Sequence, residues 1–283
     1  MDSLVLCLFA ILLVASAGDA SAAEDVPWSQ NYVILYGQEH IQLLNQEKEC
    51  QISIDQISGS GFRSLKTYNS GFFGMRMKLP NKDTTGIITT FYLRSHTKNH
   101  DELDFEFLGT NKTQPYLLHT NVFTNGQGDR EERISLWFDP TEDFHDYRLL
   151  WNQHQVVWFA DGTPIRVFKN NANIGVGYPV QAMQIEATIW SGSWAGEPNW
   201  SQAPFQAHYQ RFDIDGCSAR NNTIASSECN SPTFSWNGEK YWNLDPQQQR
   251  AYENVRQKYL VYDYCSVGSK PPPECQNNQL NYP

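Results

Sequence analysis

The chain has 283 residues, a net charge of −10 and an aromatic fraction of 13% that includes nine Trp and fourteen Tyr. That length accommodates one large β domain, or a domain with an appendage, around a substantial core. The negative charge makes nucleic acid and anionic membrane surfaces poor partners, and the surplus of rings suits a groove that stacks on the flat apolar faces of sugars.

Residues 4–17 form a nearly unbroken apolar run followed by Ala20-Ser21-Ala22-Ala23. This is the pattern of a secretory signal peptide, with cleavage expected after Ala22 or Ala23, and the run is too short to span a bilayer. Asp2 stands where a basic residue is usual; losing it with Asp19 takes the charge from −10 to −8. From residue 32 to about 215 the chain reads as short strands broken by turn signals: 32–36, 51–55, 74–79, 89–93, 117–123, 134–138, 147–151, 156–159, 165–168 and 182–189. No amphipathic helix separates them, so an all-β, two-sheet sandwich or jelly roll is expected. Asp161-Gly162 marks a hairpin turn. The expected division is a leader over 1–22, a β-sandwich domain over 23–216 and an extension over 217–283. In the extension the texture changes to Asn, Ser and Gln, with one helix capped by Asp245, started by Pro246 and running to about Lys258. The segment 259–264 that follows it can add a strand to the main sheet.

Cys7 leaves with the leader, and four of the remaining five cysteines lie in the last third of the chain. Secretion and tight spacing favour local bridges, Cys217 to Cys229 and Cys265 to Cys275, although four cysteines permit three pairings. Cys50 is in phase with Ile52 and Ile54 and reads as a small buried hydrophobe. Neither a CxxC nor a Cys/His cluster is present, so no zinc site is expected. Sequons occur at Asn111, Asn199 and Asn221; a glycan is expected at Asn111, near the mouth of the groove.

The chemistry concentrates in His-Asp-Glu-Leu-Asp-Phe-Glu-Phe-Leu-Gly at residues 100–109. Side chains alternate along a strand, so Glu102, Asp104 and Glu106 share one face while Leu103, Phe105 and Phe107 share the other. Three crowded acids repel one another and raise at least one pKa, which a purely structural strand has little reason to carry. Retaining glycoside chemistry needs a carboxylate nucleophile and a carboxylic acid about 5–5.5 Å apart. Four residues of ideal strand separate the Cα atoms of Glu102 and Glu106 by roughly 13 Å, so a curved sheet is required. Asp104, midway, can hydrogen-bond the nucleophile and keep its pKa low. The roles are then Glu102 nucleophile, Asp104 assistant and Glu106 general acid/base, with the reverse order of the two glutamates open on spacing alone. The two-carboxylate mechanism calls for no metal or organic cofactor.

The acidic strand, with Gln114-Pro-Tyr, His119-Thr-Asn-Val-Phe, Gly128-Asp-Arg-Glu-Glu-Arg and Trp137-Phe-Asp-Pro after it, resembles the plant xyloglucan endotransglucosylase/hydrolases of glycoside hydrolase family 16. Val255-Arg-Gln-Lys-Tyr, Tyr262-Asp-Tyr-Cys and Pro272-Pro-Glu-Cys resemble the C-terminal extension of that group, and the likeness covers nearly all the mature chain. The resemblance implies a β-jelly-roll of two curved antiparallel sheets with a disulfide-stapled extension. It implies a secreted enzyme of the cell wall or apoplast that cleaves the β-1,4-glucan backbone of xyloglucan and transfers it to another chain or to water. It also fixes the order of roles on Glu102, Asp104 and Glu106, and places sugar contacts at Tyr92, His119, Thr120, Asn121, Asp129, Arg130, Glu131, Trp194 and Ala195. The partners are polysaccharide donor and acceptor, and the chain is expected to act as a monomer. It departs from the family in carrying His119 where Gln is usual and in a shortened loop at residues 191–199. A usual Arg is also missing between Cys265 and Lys270. Those changes bear on acceptor preference, with cellulose or mixed-linkage glucan as alternative substrates.

Overall fold

The computed structural model describes residues 26–219, 227–267 and 270–275. The leader over 1–22 and the sequon at Asn221 lie outside them. A short helix α1 (Trp28–Asn31) leads into β1 (Tyr32–Tyr36), β2 (Ile41–Leu44), β3 (Glu49–Ile54), β4 (Ser60–Ser64), β5 (Tyr68–Lys78), β6 (Ile87–Arg94), β7 (Glu102–Leu108) and β8 (Leu117–Phe123). Then come β9 (Glu132–Ser135), β10 (His145–Trp151), β11 (Gln155–Ala160), β12 (Thr163–Lys169), β13 (Gln184–Ser191), β14 (Phe205–Gln210) and β15 (Gly216–Ser218), before helix α2 (Pro246–Tyr259) and β16 (Leu260–Asp263). One sheet runs β1-β4-β13-β6-β7-β8-β9-β16 and the other β12-β11-β10-β5-β14-β3-β2, with β15 paired to β5. All the pairings are antiparallel, which gives the two-layer architecture expected of a jelly roll.

The core lies between the layers. On β7, Leu103, Phe105 and Phe107 are completely buried. Phe105 stacks on Phe91 of the neighbouring strand, and Phe107 meets Tyr147 of the opposite sheet edge-on at 4.7 Å. Burying a side chain of this size stabilises by about 1.5–3 kcal/mol. Trp158 crosses from the second sheet and donates its indole N–H to the Asp104 carbonyl at 3.0 Å, which pins the acidic strand at its centre.

Most expected strands are present, and Asp161 and Gly162 take φ of 47° and 72°, as a tight hairpin turn demands. Four strands escaped the periodicity reading: β2, β4, β14 and β15. In β4, Ser60-Gly61-Phe62-Arg63-Ser64 has weak strand propensity, but a Cβ at Gly61 would meet Thr188 at 2.6 Å, so close strand approach decides the residue. The strand expected over 134–138 ends at Ser135 instead. Its partner β16 pairs only with residues 132–134, and Trp137 and Phe138 leave the ladder to pack on Tyr259 and His145.

The extension behaves as its sequence implies. Asp245 accepts from the backbone N–H of Gln247 and Gln248, Gln248 returns a bond to the Asp245 N–H, and Pro246 occupies the first turn. Cys217 is bonded to Cys229 and Cys265 to Cys275, while Cys50 is free and buried. Trp236 and Tyr252 cover an apolar patch of Leu150, Val157, Phe159 and Val167 on the outer face of the second sheet. β16 then lengthens the acid-bearing sheet. Arg256 joins helix and sheet, contacting Glu132 at 2.8 Å and Asp263.

Candidate active site

Strand alternation and cross-strand register together build the site. Opposite Asp104 stand Tyr92 on β6 and Asn121 on β8, with Glu186 of β13 beyond Tyr92. Opposite Glu106 stand Thr90 and His119, with Thr188 beyond Thr90; opposite Glu102 stand Arg94 and Phe123. A polar ladder three residues deep therefore crosses the outer face of the sheet, backed by the aromatic core.

Glu102 is the most constrained of the acids. Arg94 of the neighbouring strand forms an ion pair with its Oε2, and His100 Nε2 lies 3.5 Å from the same oxygen. Burial pushes the Glu102 carboxyl up to about 7, against the opposing pull of Arg94 and a hydrogen bond with Asp104. Asp104 does pull this carboxyl down, but desolvation outweighs it and Arg94 together, so the net shift is upward. Asp104 itself is pushed well above the usual carboxylate range, by burial first and then by Glu102 and Glu106. The hydrogen bond between the two carboxyls lowers Glu102 and raises Asp104, the direction that follows when Asp104 donates to Glu102. Glu106 lies 3.2 Å from His119 Nδ1 and keeps part of its side chain open to solvent.

The remaining expected residues divide. The Tyr92 hydroxyl donates to Glu186 at 2.6 Å. Asn121 accepts from the Val122 and Arg130 backbone N–H groups, and its amide reaches Glu131 at 3.4 Å. His119 meets Trp194 edge-on at 6.3 Å, and Trp194, 56% exposed, also faces Trp190. These side chains gather on the acid-bearing face. Thr120 does not: alternation turns it with Phe105 toward the core, where it is fully buried and accepts from Arg166 at 2.9 Å. Arg130 is committed to Glu274 of the extension at 2.9 Å. Asp129 is exposed in a left-handed turn, and Ala195 contributes its carbonyl to the Gly86 N–H. Arg94, His96 and Glu186 were missed. His96 lies 2.7 Å from Glu186, whose side chain is buried. Their signal was available: Arg94 is in phase with Tyr92, and Glu186 with Gln184 and Thr188.

Two clefts lie away from the acid ladder, and none of Glu102, Asp104 and Glu106 lines either of them. One, of about 540 Å³, is lined by Lys112, Gln114, Tyr116, Trp137 and Phe138 beside the exposed Asn111. The other, of about 780 Å³, is lined by Asp101, Asp129, Arg130, Tyr178 and Glu274, so the extension forms part of its wall.

Comparison with known proteins gives the family and the fold. The model of glycosyl hydrolases family 16 matches residues 28–211. Xyloglucan endotransglucosylase/hydrolase protein 2 of Arabidopsis thaliana is 48% identical over 90% of this chain and 90% of its own. Xyloglucan endotransglucosylase protein 34 of Populus tremula x Populus tremuloides is 43% identical over 96% and 97%. Among solved structures, a Bacillus licheniformis beta-glucanase superposes with a TM-score of 0.55 at 24% identity, covering 64% of this chain and 89% of that one, which shows the shared fold. The family model covers most of the chain and both relatives nearly all of it, so the chain belongs to glycosyl hydrolases family 16, among the xyloglucan endotransglucosylase/hydrolases.

Proposed function

We propose that this protein is a secreted cell-wall transglycosylase that cleaves the β-1,4-glucan backbone of xyloglucan with retention and passes the glycosyl fragment to another xyloglucan chain or to water. The observation that carries the reading is the single strand face holding Glu102, Asp104 and Glu106 in a chain 48% identical to a xyloglucan endotransglucosylase/hydrolase. In the first half-reaction a Glu102 oxygen attacks the anomeric carbon, and the glycosidic C–O bond breaks with its electron pair leaving on oxygen. Glu106 supplies the proton that this oxygen takes. In the second, an acceptor hydroxyl attacks the same carbon, Glu106 takes its proton, and the electron pair of the ester bond returns to Glu102. Asp104 holds Glu102 in place through both. Tyr92, Asn121, Glu131 and Trp194 are the sugar contacts best supported by position. The pattern at residues 1–22 and the two disulfides favour passage through an oxidising secretory route. No helix among the described residues is long and apolar enough to cross a membrane.

The test is incorporation of labelled xyloglucan oligosaccharide into polymer. Labelled polymer with xyloglucan as donor is expected. Incorporation only with cellulose or mixed-linkage glucan overturns the substrate, and release of reducing ends without incorporation overturns transfer.

A further inference from the structure

The Glu102 carboxylate is held by a cation that the two-carboxylate mechanism does not itself require. Arg94 stands directly opposite Glu102 in the β6–β7 register and ion-pairs with its Oε2. Its guanidinium approaches from the solvent side, with 38% of the Arg94 side chain exposed against 13% for Glu102. His100, packed on the Phe123 ring, lies near the same oxygen.

The charge on Glu102 changes sharply during the reaction. It is a carboxylate in the free enzyme, a neutral ester in the glycosyl-enzyme, and a carboxylate again after transfer. A fixed cation at its oxygen stabilises the first and last states and not the middle one. On this basis we propose that Arg94 is a positioning residue that speeds collapse of the covalent intermediate by stabilising Glu102 as its leaving group. The proposal rests on the assignment of Glu102 as nucleophile. Water and sugar acceptors expel the same carboxylate from the same intermediate, so Arg94 sets the lifetime of the intermediate and leaves the ratio of transfer to hydrolysis unchanged.

Other charged and titratable groups around Glu102 do not substitute for this cation. Tyr92 reaches it from β6 and His100 from the approach segment, with Asp104 and Glu106 on its own strand. On β8, Phe123 stands opposite it and His119 faces Glu106. On β13, Glu186 lies one strand further away, engaged by Tyr92 and His96. Arg94 is therefore the one permanent cation among these groups, and its pull on the Glu102 carboxyl is downward.

The experiment compares wild type, R94Q and R94K with a short xyloglucan oligosaccharide donor. Intact-mass spectrometry after rapid acid quench follows the adduct, and kcat/KM is recorded against pH. In R94Q the acid limb is expected to move up by about one pH unit. The adduct, once acceptor is added, is expected to decay on the order of tenfold more slowly, as for loss of a hydrogen bond to a charged group. R94K, which keeps the charge, is expected to hold the wild-type limb and most of the decay rate. An R94Q limb and decay equal to wild type, or R94K failing as R94Q does, overturns the role of Arg94. Absence of any wild-type adduct on Glu102 overturns the nucleophile assignment with it.

Discussion

Replacing Glu102 by Gln should stabilise the protein, and by an amount that grows with pH. Burial raises the Glu102 carboxyl from 4.5 to about 7 in the folded state, with Arg94 and Asp104 pulling the other way. Between those two values the folded protein binds a proton that the unfolded chain has released. Stability therefore falls as pH rises, by about 1.4 kcal/mol per unit. The cost is absent below the unfolded value and complete above about 7. Integrated, the charged carboxylate costs roughly 1 kcal/mol at pH 5 and roughly 3 kcal/mol at pH 8, a difference of about 2 kcal/mol. Glu102→Gln removes this ionisation while keeping the shape and the hydrogen-bonding capacity, and Arg94 is exposed enough to be resolvated. Urea unfolding of both proteins at pH 5 and pH 8 measures the effect. The variant's gain should be larger at pH 8 by about 2 kcal/mol, equivalent to roughly 4–8 °C in unfolding midpoint. An equal gain at both pH values, or a larger one at pH 5, refutes the account of a nucleophile strained by its own desolvation. With Glu102 as the proposed nucleophile, activity should be lost in the same variant, so the cost is one that catalysis imposes on the fold.

Three further outcomes follow from the same geometry. Asp104→Asn keeps a donor toward Glu102 and should retain about tenfold more kcat/KM than Asp104→Ala, the scale of a hydrogen bond to a charged group; equal losses would show that the bond to Glu102 is immaterial. Arg256→Ala leaves buried Glu132 and half-buried Asp263 without their shared cation, with Arg166 still 3.9 Å from Glu132, and should cost about 3 kcal/mol in denaturant unfolding; a loss below about 1 kcal/mol would mean the extension is held by its apolar patch alone. Trp194→Ala, at an exposed ring beside His119 and Trp190, should raise the acceptor KM by about tenfold with an unchanged unfolding midpoint. An unmoved KM would remove Trp194 from the acceptor side.

Much of the site was legible because a strand has a period of two. Once residues 102–108 were taken as a strand, the acid face and the apolar face followed, and the buried phenylalanines bear that out. The same rule explains where a contiguous reading failed: Thr120 cannot share a face with His119 and Asn121, and it points to the core. Helix α2 was legible from Asp245-Pro246 because capping is local, and the two disulfides because short loops favour local pairing. β4 was not legible, since Ser and Gly carry no periodic signal and owe their place to the approach of β13.

The sequence by itself determined the chemistry along one strand: which three acids face outward, what stands behind them, and which segments staple the tail. Which residues stand beside those acids was decided only by the tertiary structure. Arg94 stands 8 residues before Glu102 on the adjacent strand, and Glu186 stands 94 residues beyond its neighbour Tyr92 on the strand after that, brought there by the order β13-β6-β7-β8. Arg130, a sugar contact by family resemblance, meets Glu274 through the folding back of the extension. Periodicity fixes the direction of a side chain within its strand; the field and the partners it meets depend on register between strands, which a single segment does not encode.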